Sequence, residues 1–321
     1  MGNKPQRIGI LTSGGDCPGL NAAIRAVAKT VSRNGVEIVG ILEGFTGLVY
    51  GKVIHPGPAD LSGLLTLGGT ILGTSRNKPH KMPQPDGTYM DMTSQAIDTY
   101  HKLGLDCLVC LGGGGTQKNA FRLVKKGGIN VVTLPKTIDN DIWGTDVSFG
   151  FDTGMSIACE AVDRLHTTAS SHHRCMIVDV MGHNTGWIAL SAGIAGGADV
   201  ILIPELPYRL ERVRDALIER RNGGKRFSIV VVAEGAVPYN PSHHGDRASP
   251  AKGKTRANFF PHIIPTSEQI ATFIEENVGI ESRVTTLGYL QRGGIPTPTD
   301  RIVATRLGTA AGECIMKNMY G

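Results

Sequence analysis

Acidic and polar residues are concentrated in one short stretch of the chain, Pro135-Lys-Thr-Ile-Asp-Asn-Asp141. Asp139 and Asp141 flank an asparagine, and Lys136 and Thr137 precede them. Carboxylates beside phosphate groups can hold Mg²⁺ or accept a proton from an attacking hydroxyl group. A capping or turn aspartate would explain one of these carboxylates but not the whole set. The stretch therefore predicts phosphoryl chemistry, with Lys136 and Thr137 near phosphate oxygens.

Two glycine-rich stretches follow predicted strands and lead into predicted helices. The first is Ser13-Gly-Gly-Asp16, and the second contains four consecutive glycines from Gly112 to Gly115. Bare backbone N–H groups at the start of a helix favour a bound anion. The first stretch fits a plain strand-to-helix turn equally well, whereas four glycines exceed what a turn requires and favour phosphate binding. The first stretch matches neither the P-loop nor the dinucleotide-binding fingerprint.

The composition is that of an ordinary globular protein. Of the 321 residues, 40% are hydrophobic and 19% are charged, and the net charge of +5 is spread along the chain. This mild charge gives no reason to expect nucleic acid as a partner. No apolar run is long enough to span a bilayer, and the polar N-terminus is unlike a signal peptide. A cytoplasmic protein without a membrane partner is therefore expected.

Cys107 and Cys110 have the CxxC spacing that occurs in metal and redox sites. They lie within an apolar run that predicts a strand, and residues three apart on a strand point to opposite faces. The two thiols therefore cannot share a metal ion, and both are expected to be buried core residues.

Strand and helix patterns alternate along the chain. Leu20, Ile24, Val27 and Val31, for example, recur at helical spacing. Repeated strand–loop–helix units imply parallel sheets with right-handed crossovers. Predicted strands are 7–13, 36–42, 105–115, 129–135, 174–182, 198–205, 227–235 and 283–289. Predicted helices are 17–35, 93–104, 116–128, 154–170, 187–197, 209–224, 266–279 and 298–319, the last with Thr299 as its cap. The aperiodic stretch 237–265 predicts a mobile surface excursion.

Seven motifs occur in a characteristic order: GILTSGGDCPGLNAAIR, GGTILGTSR, GGGGT, PKTIDND, VMGHNTGW, AEGA and LGYLQRGG. In this respect the chain resembles the 6-phosphofructokinase family, of the phosphofructokinase A type and mixed-donor branch, over nearly its whole length. The resemblance implies an α/β fold with two Rossmann-like three-layer αβα domains and mainly parallel sheets. Residues 1–150 with about 291–321 would bind the phosphoryl donor, and residues 151–290 would bind the sugar phosphate.

By this resemblance, Asp139 is the general base that takes the proton from the sugar 1-hydroxyl as that oxygen attacks the terminal phosphoryl group. Thr137 would contact the transferring group, Lys136 and His183 are further catalytic candidates, and Asp141 would join a Mg²⁺ site. The implied donor-binding residues are Gly14, Arg76, Asn77, Gly113, Gly114, Gly115 and Thr116. The implied substrate-binding residues are Thr137, Ile138, Asp139, Arg174, Met181, Gly182, His183, Glu234, Arg283, Tyr289 and Arg292.

Three residues depart from the family pattern. Gly114 replaces an acidic residue that helps to bind Mg²⁺, and His183 replaces an arginine that steadies the transferring phosphoryl group. Tyr289 replaces a histidine at the sugar site. Without a carboxylate at position 114, more of the charge of the metal must be met by Asp141, Asp16, water and the donor.

Two positions bear on the identity of the donor. In this family a carboxylate at position 115 lies where the α-phosphate of ATP would lie, and two like charges about 4 Å apart repel by roughly 4 kcal/mol at an effective dielectric near 20. Gly115 leaves room for a nucleotide. Lys136 is typical of pyrophosphate users but also occurs in ATP users. The sequence thus predicts an ATP-dependent 6-phosphofructokinase of glycolysis that converts fructose 6-phosphate to fructose 1,6-bisphosphate.

Two other functions remain open at this point. One is a reversible pyrophosphate-dependent phosphotransferase, and the other is a non-catalytic, phosphate-sensing paralogue, which Gly114 and His183 favour and an intact Asp139 opposes. Because Arg174 and Arg283 reach across from a neighbouring subunit in this family, a homo-oligomer, either dimer or tetramer, is expected. Family members also continue beyond residue 321 with another strand and helices, so a truncated chain or a fragment is expected.

Overall fold

The computed structural model describes residues 4–239 and 267–321. These residues form two compact units. Unit 1 contains the residues up to Thr137, Asp141–Thr153 and Arg292–Gly321, and unit 2 contains Ile138–Asn140 and the described part of Gly154–Gln291. Most of the predicted excursion, residues 240–265, lies outside the described residues.

Twelve strands occur in the described residues. They are β1 (Arg7–Ser13), β2 (Glu37–Ile41), β3 (Val53–Ile54), β4 (Met82–Pro83), β5 (Tyr89–Met90), β6 (Cys107–Gly112), β7 (Val131–Thr137), β8 (Phe149–Gly150), β9 (Cys175–Val180), β10 (Val200–Leu202), β11 (Ser228–Ala233) and β12 (Ser282–Thr286). Unit 1 has a six-stranded sheet in the order β3-β2-β1-β6-β7-β8, and unit 2 has a four-stranded sheet in the order β10-β11-β9-β12. Only the β2–β3 pair is antiparallel within these two sheets, while β4 and β5 form a separate antiparallel pair.

Nine α-helices occur in the same described ranges. They are α1 (Leu20–Ser32), α2 (Phe45–Tyr50), α3 (Thr93–Lys102), α4 (Gly114–Gly127), α5 (Phe151–His172), α6 (Trp187–Ala195), α7 (Leu210–Asn222), α8 (Ser267–Val278) and α9 (Pro298–Met316). None of these helices is both long enough and apolar enough to cross a bilayer. The alternation of helices with mainly parallel strands confirms the predicted α/β class.

The sheet of unit 1 brings three strand ends to one edge. Ser13 pairs in register with Gly112, and Gly112 pairs with Pro135 on β7. Because these strands are parallel and adjacent, the residues that follow them emerge side by side.

The predicted spacing of α1 is also confirmed, since its apolar residues at helical intervals are buried. The hydrophobic core between the sheet of unit 1 and helices α2, α3 and α4 includes Leu11, Phe45, Leu48, Tyr100, Leu108 and Leu123.

The sheet of unit 2 is fully parallel and is covered by a core from α7 and α8. Val180 at the end of β9 pairs with Ala233 at the end of β11. The turn after β9 and Glu234, which follows β11, therefore lie at neighbouring strand ends. Core side chains of this unit include Ile177, Val213, Leu217, Val230, Ile270 and Ile274.

The starts of two helices differ from the prediction. Helix α4 begins at Gly114, two residues earlier than predicted, so its first two residues are glycines. The cap of α9 is Thr297 rather than Thr299: the Thr297 hydroxyl accepts a hydrogen bond from the Asp300 N–H at 3.3 Å. Pro298 takes the first helical position, where its fixed φ and missing N–H suit a helix, and the cap must precede it.

Candidate active site

The loop after β1 is held in shape by the segment around residue 75. The Gly14 N–H donates to the Ser75 carbonyl at 2.9 Å, and Thr74 Oγ1 donates to the Gly14 carbonyl at 2.8 Å. Gly14 has a φ of +93°, which glycine adopts without a steric penalty. The first glycine stretch is therefore a loop whose backbone is held in place by hydrogen bonds with Thr74 and Ser75.

The backbone N–H groups at the start of α4 have no side-chain cap. Its cap residue, Gly113, makes no side-chain hydrogen bond, and the first turn carries no acidic residue. The first N–H groups of a helix have no acceptor within the helix, and the helix dipole adds positive potential there. A Cβ atom placed on Gly114 or on Gly115 would meet nothing within 4 Å. This turn is therefore open to an anionic ligand.

Two cationic side chains converge on the same loop of unit 1. Lys136 is only 4% exposed, and its Nζ donates to the Gly15 carbonyl. The guanidinium of Arg292 lies against Gly15, where an added Cβ would come within 2.6 Å of Nη1. The Gly14 backbone is also near Lys136, since a Cβ there would be 3.8 Å from Nζ. Two cationic side chains beside glycine backbone give this loop a positive charge that suits an anionic ligand.

The remaining predicted donor residues differ in burial and in their hydrogen bonds. Thr116 is buried, and its Oγ1 donates to the Ser13 carbonyl at 3.1 Å, which joins the two glycine stretches. Asn77 Nδ2 donates to Thr46 Oγ1 at 3.1 Å, whereas Arg76 is exposed. Thr116 and Asn77 therefore already have partners within unit 1.

Four of the six cysteines are buried, and Cys17, Cys107 and Cys110 are among them. Burial raises the pKa of Cys17 to about 12, while the nearby Lys136 acts in the opposite direction. Burial also raises the pKa of Cys107 to about 12 and raises the pKa of Cys110. All three thiols are buried and protonated at neutral pH, so the interpretation of the CxxC pair as core is confirmed.

The aspartate predicted to be the base belongs to unit 2. The three residues from Ile138 leave β7 and join that unit. Ile138 is buried next to Gly154, where an added Cβ would lie 3.3 Å from the Ile138 Cβ. The Asp139 carbonyl accepts a hydrogen bond from Thr185 Oγ1 at 2.9 Å, and Asp139 Oδ1 is shielded from solvent. Asp141, in contrast, is exposed.

The turn after β9 brings four predicted sugar-site residues together. The His183 N–H donates to Glu234 Oε1 at 2.6 Å. His183 has a φ of +54°, in the left-handed region that few non-glycine residues adopt. The Gly182 carbonyl accepts the Thr185 N–H at 2.9 Å, and Met181 precedes the turn half-buried. The His183 and Glu234 side chains remain exposed.

Two predicted phosphate-binding arginines share one carboxylate. Arg174 Nε lies 2.9 Å from Glu281 Oε2, and Arg283 Nη2 contacts Glu281 Oε1. Arg283 Nη1 also lies 3.4 Å from Glu275 Oε1. Arg174, with a smaller effect of Arg283, holds the pKa of Glu281 below its usual value. The contact of Glu281 with both arginines was not predicted from the sequence. Tyr289, the remaining predicted sugar-site residue, is exposed.

A protein-built metal cage is absent from residues 4–239 and 267–321, where no three His, Cys, Asp or Glu side chains group to hold an ion. Mg²⁺ at nucleotide sites commonly takes one or two carboxylates and completes its shell with water and phosphate oxygens. The exposed Asp141 and the half-buried Asp16 fit such an ion arriving with its donor.

The glycine loops of unit 1, with Lys136 and Arg292 beside them, are typical of α/β proteins that bind phosphate groups. The model of the family described as Phosphofructokinase matches residues 7–315, and the chain belongs to this family. An ATP-dependent 6-phosphofructokinase of Spirochaeta thermophila is 54% identical over 98% of this chain and 85% of the relative. ATP-dependent 6-phosphofructokinase 3 of Bacteroides thetaiotaomicron is 50% identical over 98% of this chain and 87% of the relative.

Solved structures agree with this assignment. Pichia pastoris phosphofructokinase in the T-state superposes with a TM-score of 0.83 at 34% identity over 99% of this chain. This chain spans only 33% of that yeast chain. A pyrophosphate-dependent phosphofructokinase from Marinobacter aquaeolei has a TM-score of 0.79 at 22% identity, covering 98% of this chain and 77% of its own, and supports the fold alone.

Proposed function

We propose that this chain transfers the γ-phosphoryl group of ATP to the 1-hydroxyl of fructose 6-phosphate and thereby forms fructose 1,6-bisphosphate. One observation carries the proposal: Lys136 and Arg292 converge on the Gly14–Gly15 loop beside the uncapped start of α4. This arrangement suits a polyphosphate donor because cations and oriented N–H groups stabilise the charge of a transferring phosphoryl group.

ATP is favoured as the donor by the open space at Gly115 and by the names of the relatives. An added Cβ at this residue meets nothing within 4 Å, and no carboxylate opposes a nucleotide phosphate there. The relatives that are 54% and 50% identical are named ATP-dependent. The pyrophosphate-dependent alternative rests on the buried Lys136, whose ammonium would serve either donor.

In the proposed reaction, the Asp139 carboxylate accepts the proton of the sugar 1-hydroxyl as that oxygen attacks phosphorus. Its shielded Oδ1 favours proton transfer over exchange with bulk water. Thr137 would contact the transferring phosphoryl group, and Lys136 and His183 would donate hydrogen bonds to its oxygens. Mg²⁺, held by Asp141 with Asp16, would offset the negative charge of the donor phosphates when bound.

The sugar phosphate would be recognised by groups of unit 2. Glu234, Met181 and Gly182 would contact the sugar, with Ile138, His183 and Tyr289 as further contacts. Arg174 and Arg283 would bind the distal phosphate, because planar guanidinium groups match phosphate oxygens in a bidentate manner. Glu281 already keeps these two arginines close together.

A homo-oligomer, dimer or tetramer, is part of this proposal, with the two arginines serving a neighbouring subunit. Large apolar side chains exposed on unit 2, such as Trp187, Ile194 and Leu206, are consistent with an interface. Sedimentation velocity across a range of protein concentrations tests this part. A fully active monomer would contradict it.

The deciding experiment offers the purified protein fructose 6-phosphate and Mg²⁺ with either ATP or pyrophosphate. Fructose 1,6-bisphosphate is measured by a coupled aldolase assay. Product with ATP is the expected result, and product with pyrophosphate alone would favour the alternative donor. Binding of fructose 6-phosphate without product from either donor would favour a non-catalytic paralogue.

A further inference from the structure

Thr185 lies in the turn after β9 and contacts the segment that carries Asp139. Its hydroxyl is 2.9 Å from the Asp139 carbonyl and 3.0 Å from the Gly182 carbonyl. A hydroxyl group has one proton to donate, so the two carbonyl groups share it or alternate in receiving it. The residue therefore links two stretches of unit 2 that are 46 residues apart in sequence.

The turn itself does not depend on this hydroxyl. The Thr185 backbone N–H donates to the same Gly182 carbonyl at 2.9 Å, and the His183 N–H is bound by Glu234. Removing the hydroxyl leaves both of these backbone contacts in place. Its separate contribution is thus the hydrogen bond to Asp139.

The Asp139 segment benefits from an external anchor. The next residue, Asn140, has a φ of +51°, so the chain turns sharply just after the carboxylate. Ile138 is anchored by burial on the other side. A general base must lie within hydrogen-bond reach of its proton, and a displacement of about 1 Å can cost on the order of a hundredfold in rate.

We infer that Thr185 is a positioning residue whose hydroxyl fixes the Asp139 backbone to the Gly182–Thr185 turn. The carboxylate that removes the proton and the turn that holds the sugar are thereby kept in register. The inference rests on the proposed function, in which Asp139 is the general base. It adds a residue outside the proposed catalytic and substrate-binding set to those that determine the rate.

The test compares three variants with the wild-type chain. Thr185→Val removes the hydroxyl at nearly constant shape, and Thr185→Ser retains it. Thr272→Val is the matched control, because the Thr272 hydroxyl also donates to a backbone carbonyl of unit 2, at 3.1 Å within α8. For each variant, kcat and the KM for fructose 6-phosphate are measured with ATP, and the thermal unfolding midpoint is recorded.

Loss of a neutral hydrogen bond of typical strength corresponds to a decrease in rate of about fivefold. We expect Thr185→Val to lower kcat by this factor with less than about a twofold change in KM, and Thr185→Ser and Thr272→Val to remain within about twofold of wild type. If Thr185→Val fails to fold, the serine variant still decides, because a loss there would show that the hydroxyl is not what matters.

Three results would overturn the inference. They are an unchanged kcat in Thr185→Val, a rise in KM with kcat retained, and an equal loss in the serine variant. The second result would mean that the hydroxyl serves the sugar-binding turn instead of the base. An inactive wild-type chain would instead refute the proposed function, and the role of Thr185 would fall with it.

Discussion

A single carboxylate at position 115 is expected to exclude ATP without harming the fold. Gly115 is in the first turn of α4, has no positive φ, and would carry a Cβ in open space. Glycine within a helix costs about 0.5–1 kcal/mol relative to alanine, and an acidic residue near a helix start gains about 0.3–1 kcal/mol. Gly115→Asp should therefore be at least as stable as the wild-type chain.

The expected functional loss is large. In the proposed donor site, the new carboxylate would lie about 4 Å from the α-phosphate of ATP and repel it by roughly 4 kcal/mol at an effective dielectric near 20. A difference of 1.4 kcal/mol is a factor of ten, so kcat/KM for ATP should fall by about a thousandfold. Pyrophosphate has no corresponding α-phosphate, so any activity with it should change far less.

Two control variants separate charge from position. Gly115→Asn has nearly the same size without the charge, and Gly114→Asp has the same charge one residue earlier, also in open space. Both should retain ATP use within about tenfold, since neither carries a carboxylate at the critical place. An asparagine variant as impaired as Gly115→Asp, or an aspartate at position 115 with unchanged ATP kinetics, would refute the electrostatic reasoning.

Three further outcomes are expected. Asp139→Asn should lower kcat by about 10²–10⁴ with little change in KM, because it removes the proposed base; wild-type kinetics would contradict that role. Asp300→Asn should lower the free energy of unfolding in urea by about 1–3 kcal/mol, because the buried carboxylate accepts hydrogen bonds from Gly150 N–H, Thr153 N–H and Thr153 Oγ1. Burial, opposed by a hydrogen bond with Ser267 and reinforced by Glu268 and Glu234, raises the pKa of Asp179 to about 6, so the native state holds a proton that the unfolded state releases. Unfolding free energy should then fall as pH rises from about 4 to 6, by at most about 3 kcal/mol, and Asp179→Asn should flatten this slope in thermal unfolding measured across pH.

The grouping of the glycine stretches could be predicted from sequence because it follows from strand order. Buried apolar runs that each lead into a helix predict adjacent parallel strands, and the carboxyl ends of such strands share an edge. The partners of individual side chains could not be predicted in this way. Lys136 Nζ binds the carbonyl of Gly15, which is 121 residues away, and nothing in the local pattern indicates that contact.

Other elements were missed because their local signals are short or ambiguous. Helix α2 has only six residues, too few to display a helical period, and includes Gly47, a residue that disfavours helices. At α9, Thr297 and Thr299 flank Pro298, and only the geometry of the proline decides which one caps. The role of Thr185 could not be predicted either, since a threonine between an asparagine and a glycine is ordinary turn composition.

In the proposed function, residues of unit 1 bind the donor and residues of unit 2 activate the acceptor. Unit 1 supplies the Gly14–Gly15 loop, Lys136 and the open first turn of α4, whereas unit 2 supplies Asp139 and the turn that holds it. A charge placed on α4 changes the potential along one helix turn and leaves the Thr185 contact with Asp139 intact. Donor preference can therefore change through a single side chain while the acceptor chemistry is conserved. The same fold in a pyrophosphate-dependent phosphofructokinase only 22% identical to this chain is consistent with that separation, because the fold alone does not determine the donor.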